Sequence, residues 1–153
     1  MQTQEVRVRR PQRHEALIQQ LRDDGVFSTM RDVLLFSAAV GSAQERRVPF
    51  DASNEPIRYE TVTDPAFAET LINMIAAVAA GDDAEILDSS RIQERVTIFE
   101  EYANGGLEYL QEQMNTRQQR VELIVESLVT DALAGSASAE PVSVEELLDS
   151  TGW

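Results

Sequence analysis

The stretch Phe99-Glu100-Glu101-Tyr102-Ala103-Asn104-Gly105-Gly106-Leu107-Glu108-Tyr109-Leu110 places two adjacent glycines inside a strong helical pattern. Apolar residues recur on both sides of the pair in alternating steps of about four and three, a period close to the natural pitch of an α-helix. The stripe consists of Ile92, Val96, Phe99, Ala103, Leu107, Leu110 and Met114, and it resumes at Val121, Ile124 and Leu128. It predicts a long helical element over residues 90–134, formed by one helix or by two.

The glycine pair requires a reason of its own, because each glycine inside a helix costs about 1 kcal/mol relative to alanine. Three interpretations of Asn104, Gly105 and Gly106 are open: a crossing with another helix of the chain, a helix end with a turn, or the docking point of a partner helix. Small residues at helix crossings usually allow close packing. A crossing within the chain is therefore favoured.

Upstream of this element, the sequence predicts a strand followed by two helices. Val6 and Val8 alternate with charged residues, which is typical of a short strand. One helix is predicted to begin at Pro11 and to end before Gly25, and a second is predicted from a cap at Ser28 to Gly41.

Downstream of Gly41 the pattern predicts a loop, a short edge strand over residues 57–62 and a further helix from Asp64-Pro65 to Gly81. The predicted buried spine of that helix is Phe67, Leu71, Ile75 and Val78. The fold class is mainly α, with the short N-terminal strand and a long C-terminal helix or helix pair. We expect a single helical domain over residues 1–134 and a flexible acidic tail over residues 135–153.

Missing residue types exclude several kinds of chemistry. The chain has no Cys and all its basic residues are Arg, so it lacks a thiolate nucleophile, a cysteine-based metal site and a Schiff-base lysine. His14 is the only histidine, is expected on a helix surface and has no recognisable nucleophile motif around it. Adjacent carboxylates such as Glu100 and Glu101 diverge on a helix and are expected to be solvated. The sequence predicts no catalytic residues, no metal site and no cofactor, and hence not an enzyme.

The charge is strongly negative and uneven: the formal net charge is −14, and most of the 27 acidic residues follow residue 50. Such a surface repels nucleic acid on average. Together with the lack of Lys it suggests a protein adapted to high salt, a hypothesis that fails if the fold melts no earlier in dilute buffer than in molar KCl. The alternative is an acidic mesophilic protein from a GC-rich genome, which uses Arg codons for the same compositional reason. The longest apolar run, residues 71–80, is too short to span a bilayer. We expect a cytoplasmic protein without membrane contact.

Arginine is concentrated near the N-terminus, where strand, helix and helix follow one another as in a ribbon–helix–helix DNA-binding protein. In that fold two chains pair their strands in the major groove, so this interpretation implies a homodimer. The candidate DNA-binding residues are Arg7, Arg9, Arg10, Arg13, Ser28, Arg31, Arg46 and Arg47. The alternative is that the strand pairs inside the domain and that the arginines bind carboxylates of the same acidic chain.

Several motifs resemble a known family. They are Phe27 to Gly41, Arg46-Arg47-Val48-Pro49, Glu55-Pro56-Ile57 and the segment from Phe99 to Leu110. Over residues 6–128 the chain resembles the DNA phosphorothioation-associated protein family, the fourth small accessory family encoded beside DNA sulfur-modification genes; the tail beyond Leu133 lies outside the likeness.

The resemblance implies a non-enzymatic accessory protein of a phosphorothioation-dependent modification and restriction system, an antiviral defence, with the proteins of that complex as partners. The alternative is a small DNA-binding regulator of the same gene cluster, which would use residues 6–31. No catalytic residues follow from the resemblance.

Overall fold

The computed structural model describes residues 5–138, in which two short strands and six helices surround one apolar core. The strands are β1 (Arg7–Pro11) and β2 (Ser53–Arg58), and the helices are α1 (Glu15–Asp23), α2 (Met30–Ala43), α3 (Tyr59–Val62), α4 (Ala66–Ala80), α5 (Ile92–Arg117) and α6 (Val121–Ser138). The predicted mainly α fold class is confirmed. Within residues 5–138 no helix is both long enough and apolar enough to cross a membrane.

The two strands form an antiparallel pair with a bulge between Val8 and Arg10. Val8 is buried and pairs with Ile57 of β2. The alternation of valines with charged residues in β1 therefore places an apolar side chain on the core face. Pro11 ends β1, and a 3-10 turn over Gln12–His14 separates it from α1. The prediction that a helix begins at Pro11 was therefore wrong by about one turn.

The predicted strand over residues 57–62 was also wrong in its bounds. β2 lies earlier in the chain, and residues 59–62 form the helical turn α3. Tyr59 and Val62 are both buried, which a helical turn achieves for residues three apart, whereas a strand would point them to opposite faces.

Helix α2 differs from its prediction at both ends. Thr29, not Ser28, is the N-cap, since its side chain accepts a hydrogen bond from the backbone N–H of Asp32 at 3.2 Å. Gly41 does not end the helix, which continues to Ala43. Gly41 lies inside α2 because α5 crosses there.

Helix α4 occupies the predicted region but presents a different face to the core. Its buried residues are Ala68, Ile72, Ile75 and Ala76, whereas Phe67 and Val78 of the predicted spine are 61% and 76% exposed. The prediction that Phe67 and Val78 belong to the buried spine was wrong, whereas Ile75 is buried as predicted. Both faces are apolar, so the periodicity alone does not distinguish the core side from the outer side.

The long C-terminal element is two helices, and the break falls at residues 118–120 rather than at the glycine pair. Gln118 adopts the left-handed conformation with φ 50° and ends α5. Residues 115–120 are polar, so no apolar side chain there holds a continuing helix against the core. The stripe itself is confirmed on α5, where Val96, Phe99, Ala103, Leu107 and Leu110 are buried.

Helix α6 extends the described structure to Ser138, and side chains are described as far as residue 135. Val121 and Ile124, where the stripe resumes, are fully buried. The remainder of the predicted tail, residues 139–153, lies outside the described residues.

Candidate functional surfaces

Two glycines, Gly41 and Gly106, bring α2 and α5 into backbone contact. A Cβ atom added at Gly106 would lie 1.7 Å from the carbonyl oxygen of Ser37, and one added at Gly41 would lie 1.9 Å from that of Tyr102. Ordinary van der Waals contacts of a Cβ begin at about 3.4 Å. Neither position therefore accommodates a side chain while the helices keep this separation.

Gly105 makes a similar approach to the segment that follows α2. Its added Cβ would lie 2.0 Å from the carbonyl oxygen of Arg46. Asn104, fully buried, donates from Nδ2 to the carbonyl oxygen of Val48 at 2.9 Å, and the Val48 N–H donates to the carbonyl oxygen of Glu101 at 3.1 Å. The crossing within the chain therefore lies at Asn104, Gly105 and Gly106. Both α2 and the segment that follows it pack against α5 there.

Carboxylates of α5 bind four of the seven arginines that the sequence proposes as DNA contacts. The ion pairs are Arg9–Glu100 (3.1 Å), Arg47–Glu101 (2.8 Å), Arg46–Glu112 (2.7 Å), Arg46–Glu108 (3.6 Å) and Arg13–Glu108 (3.6 Å). We call these α5 glutamates the carboxylate row. It joins β1, its following turn and the segment after α2 to one helix.

Glu100 is the buried member of the carboxylate row, with only 1% of its surface exposed. Its Oε2 accepts a hydrogen bond from the backbone N–H of Arg9 at 2.5 Å, and its Oε1 accepts a second hydrogen bond from the Nε–H of Arg9 at 3.1 Å. The Arg9 guanidinium also lies 4.6 Å from the centre of the Phe50 ring. Burial raises the pKa of Glu100, while the hydrogen bonds and charge of Arg9 oppose that shift.

The expectation that Glu100 is solvated was wrong. It lies four residues after Val96 and four before Asn104, which places it beside the buried stripe. That spacing was the available signal in the sequence.

The other candidate DNA-binding residues lie elsewhere. Arg7 pairs with Glu5 at 3.1 Å and Arg10 with Glu15 at 3.0 Å, whereas Arg31 lies 3.7 Å from Asp64 and 3.8 Å from Asp32. Ser28 lines a shallow groove that includes Met30, Arg31 and Ile57. The β1 strand pairs with β2 of the same chain. DNA binding by these residues stays a prediction.

Two buried basic side chains were not predicted as such. His14 is only 6% exposed, not on a helix surface, and burial, with the charge of Arg13, lowers its pKa to about 4. Arg95 is 5% exposed and donates to the carbonyl oxygens of Ile86 and Asp88 at 2.8 and 2.7 Å. Arg95 thereby fixes the connection between α4 and α5. No group of three or more His, Asp or Glu within residues 5–138 is placed to hold a metal ion.

The outer face of α4 is apolar and exposed. Phe67, Met74 and Val78 are 61%, 60% and 76% exposed, and Leu71 lies half-buried in the same row. Glu69 is the one charged residue of this helix. We call Phe67, Leu71, Met74 and Val78 the α4 row.

Two apolar grooves flank the outer face of α2. The first, about 300 Å³, lies between α2 and α4 and is lined by Phe27, Leu35, Phe36, Ala39, Phe67 and Leu71, with Asp32 as its charged residue. The second, about 490 Å³, lies between α2, α5 and α6. Phe36 and Ala39 belong to both, so the apolar surface continues from α4 across α2 to α6.

A protein-family model described as DNA sulphur modification system-associated protein 4 matches residues 7–146. The match continues past residue 128, where the resemblance ends, and runs to residue 146. The expectation that the tail beyond Leu133 lies outside the likeness was therefore wrong. No curated protein and no solved structure matches the chain.

Proposed function

Because the chain belongs to the DNA sulphur modification system-associated protein 4 family, we propose that it is a non-catalytic accessory subunit that binds proteins of a DNA phosphorothioation modification or restriction system. The observation that carries the proposal is the exposed α4 row. Its contacts with a partner would serve antiviral defence by assembling or restraining that system.

The α4 row has the chemistry of a protein contact. Large apolar side chains that line up on a surface, here with a half-buried member between exposed ones, mark interaction sites in water-soluble proteins. Aromatic and methionine side chains such as Phe67 and Met74 are enriched at protein interfaces, whereas charged groups are depleted at interface centres. The adjoining groove between α2 and α4 would let a partner side chain or helix pack beside Phe67.

The electrostatics favour a protein partner over DNA. The net charge of −14 opposes approach to a phosphate backbone. Arginines that could offset this negative charge already pair with the carboxylate row. If Arg9 turned to DNA instead, Glu100 would remain buried without its partner.

Affinity capture of co-expressed modification and restriction proteins from the same gene cluster tests the proposal. Met74→Asp adds a charge to the α4 row and should abolish capture without unfolding the protein, because Met74 is 60% exposed. Leu123→Asp is the matched control, since Leu123 is 50% exposed on α6 and should keep full capture. Capture of none of these proteins, or capture that Met74→Asp leaves intact, would refute the proposal.

A further inference from the structure

The groove between α2, α5 and α6 has the form of a site for a short helix. Its walls include Phe36, Ala39 and Ala43 from α2 and Leu128, Val129 and Ala132 from α6. On each helix these residues are spaced so that they share one face. Val129 is 44% exposed although it lines the groove. The surface is therefore apolar and uncovered within residues 5–138.

The chain that leaves α6 has the matching pattern. The structure describes helix α6 as far as Ser138, and in the sequence Pro141 follows three residues later, a residue type that disfavours a continuing helix. Ser143 and Glu146 have the spacing of a capping box, and Val144, Leu147 and Leu148 follow at the spacing of one helical face. The family match runs through residue 146 and so includes the start of this pattern.

We propose that residues 139–153 fold back on their own chain and place Val144, Leu147 and Leu148 in this groove. The lengths agree. Ser138 lies six residues beyond Ala132, roughly 9 Å of helix. The five Cα–Cα steps from Ser138 to Ser143 span up to about 17 Å, enough for both that return and the roughly 9 Å between packed helix axes. The groove runs from Phe36 to Ala43 for roughly 10 Å, which two turns starting at Ser143 fill.

Charge favours the same occupant. Arg117 lines the groove and donates to Ser127 Oγ at 3.3 Å, but it has no ion pair within residues 5–138. The returning segment carries Glu145, Glu146 and Asp149, any of which would complement Arg117. Asp131 also lines the groove, so the docked segment must turn its carboxylates towards Arg117 and away from Asp131. This intramolecular contact does not depend on the proposed partner.

Amide hydrogen exchange of the full chain, read by mass spectrometry, tests the docking. Amides in residues 143–149 should exchange at least about tenfold more slowly than in the isolated 139–153 peptide, because a docked helix protects them. Val129→Asp should abolish that protection. Leu123→Asp, which changes an exposed residue of α6 outside this groove, should preserve it.

Three results would overturn the proposal. They are a segment that exchanges as fast as the peptide, protection that Val129→Asp leaves unchanged, and protection that disappears on dilution together with a dimer. The last result would assign the groove to the segment of a second copy. Protection that persists at low protein concentration, with a monomeric mass, supports docking within one chain.

Discussion

Alanine at Gly106 should disrupt the crossing of α2 and α5. The new methyl carbon would begin 1.7 Å from the Ser37 carbonyl oxygen, which belongs to the backbone of α2 and cannot turn aside as a flexible side chain can. To restore an ordinary contact, α2 and α5 would have to separate by roughly 1.5 Å. The substitution therefore strains the whole crossing rather than one side chain.

The expected cost follows from the residues that the crossing packs together. Leu34 and Ala38 of α2 and Ala103 and Leu107 of α5 are essentially fully buried. A gap of even 0.5–1 Å forfeits about a quarter to a half of each dispersion contact, and forced overpacking typically costs 1–3 kcal/mol. Because the obstacle is backbone, we expect a loss of about 3 kcal/mol or more, even though alanine favours a helix over glycine by about 1 kcal/mol.

Urea unfolding followed by circular dichroism measures this loss. With a slope of about 1.5–2 kcal/mol per molar urea for a domain of this size, the midpoint should fall by roughly 1.5–2 M. Gly135→Ala is the control, because a Cβ there meets nothing within 4 Å and should leave stability unchanged or raise it slightly. A Gly106→Ala midpoint equal to that of the wild type would refute the inference that glycine is required by the close approach.

Two further predictions concern the ionisable groups. His14 binds a proton at a pKa of about 4 in the folded state against 6.5 when unfolded, so its contribution to stability is present above pH 6.5 and is lost as the pH falls towards 4. From pH 7 to pH 5 the expected loss in the free energy of unfolding is about 2 kcal/mol. Urea midpoints measured across this pH range should fall by this amount in the wild type and not in His14→Leu. An equal dependence of stability on pH in the two proteins would contradict the burial of a neutral imidazole. In a gel-shift assay at moderate salt, we expect the protein not to retard a promoter fragment from the gene cluster. The reason is that four candidate arginines already pair with the carboxylate row, namely Arg9, Arg13, Arg46 and Arg47. Retardation that Arg7→Ala removes would instead support the ribbon–helix–helix interpretation.

Periodicity predicted the fold where only one face of an element is apolar. The stripe from Val96 to Leu110 lies in the core because the opposite face of α5 is charged. On α4 the same reasoning selected Phe67 and Val78, which are exposed, because this helix is apolar on both sides and only the tertiary packing decides which side is covered. The second apolar face of α4 is still informative, because an exposed apolar face on a surface helix is typical of an interaction site.

Local signals were also insufficient where a distant segment supplies the partner. Gly41 has the position of a helix end in the sequence, yet α2 continues through it because the glycine is matched to Gly106, far along the chain. Glu100 has the neighbours of a solvated carboxylate, yet it receives two hydrogen bonds from Arg9. Pairings of this kind depend on the three-dimensional arrangement, which one sequence does not specify at the level of individual contacts.

The carboxylate row and the α4 row divide the molecule's chemistry between two roles. The carboxylate row on α5 pairs with arginines of the N-terminal strand and of the segment after α2, and so holds both segments against α5. The Arg9–Glu100 ion pair involves a buried carboxylate, so removing Arg9 would destabilise the fold. The remaining exterior combines excess carboxylates with an apolar outer face on α4. An exterior of that composition suits a partner that presents an apolar pocket bordered by basic residues, because the carboxylates would speed association and the apolar contact would hold the complex. Proteins that bind DNA neutralise its phosphates with Lys and Arg, so under the proposed function the acidic charge of this chain favours contact with such proteins over contact with DNA itself.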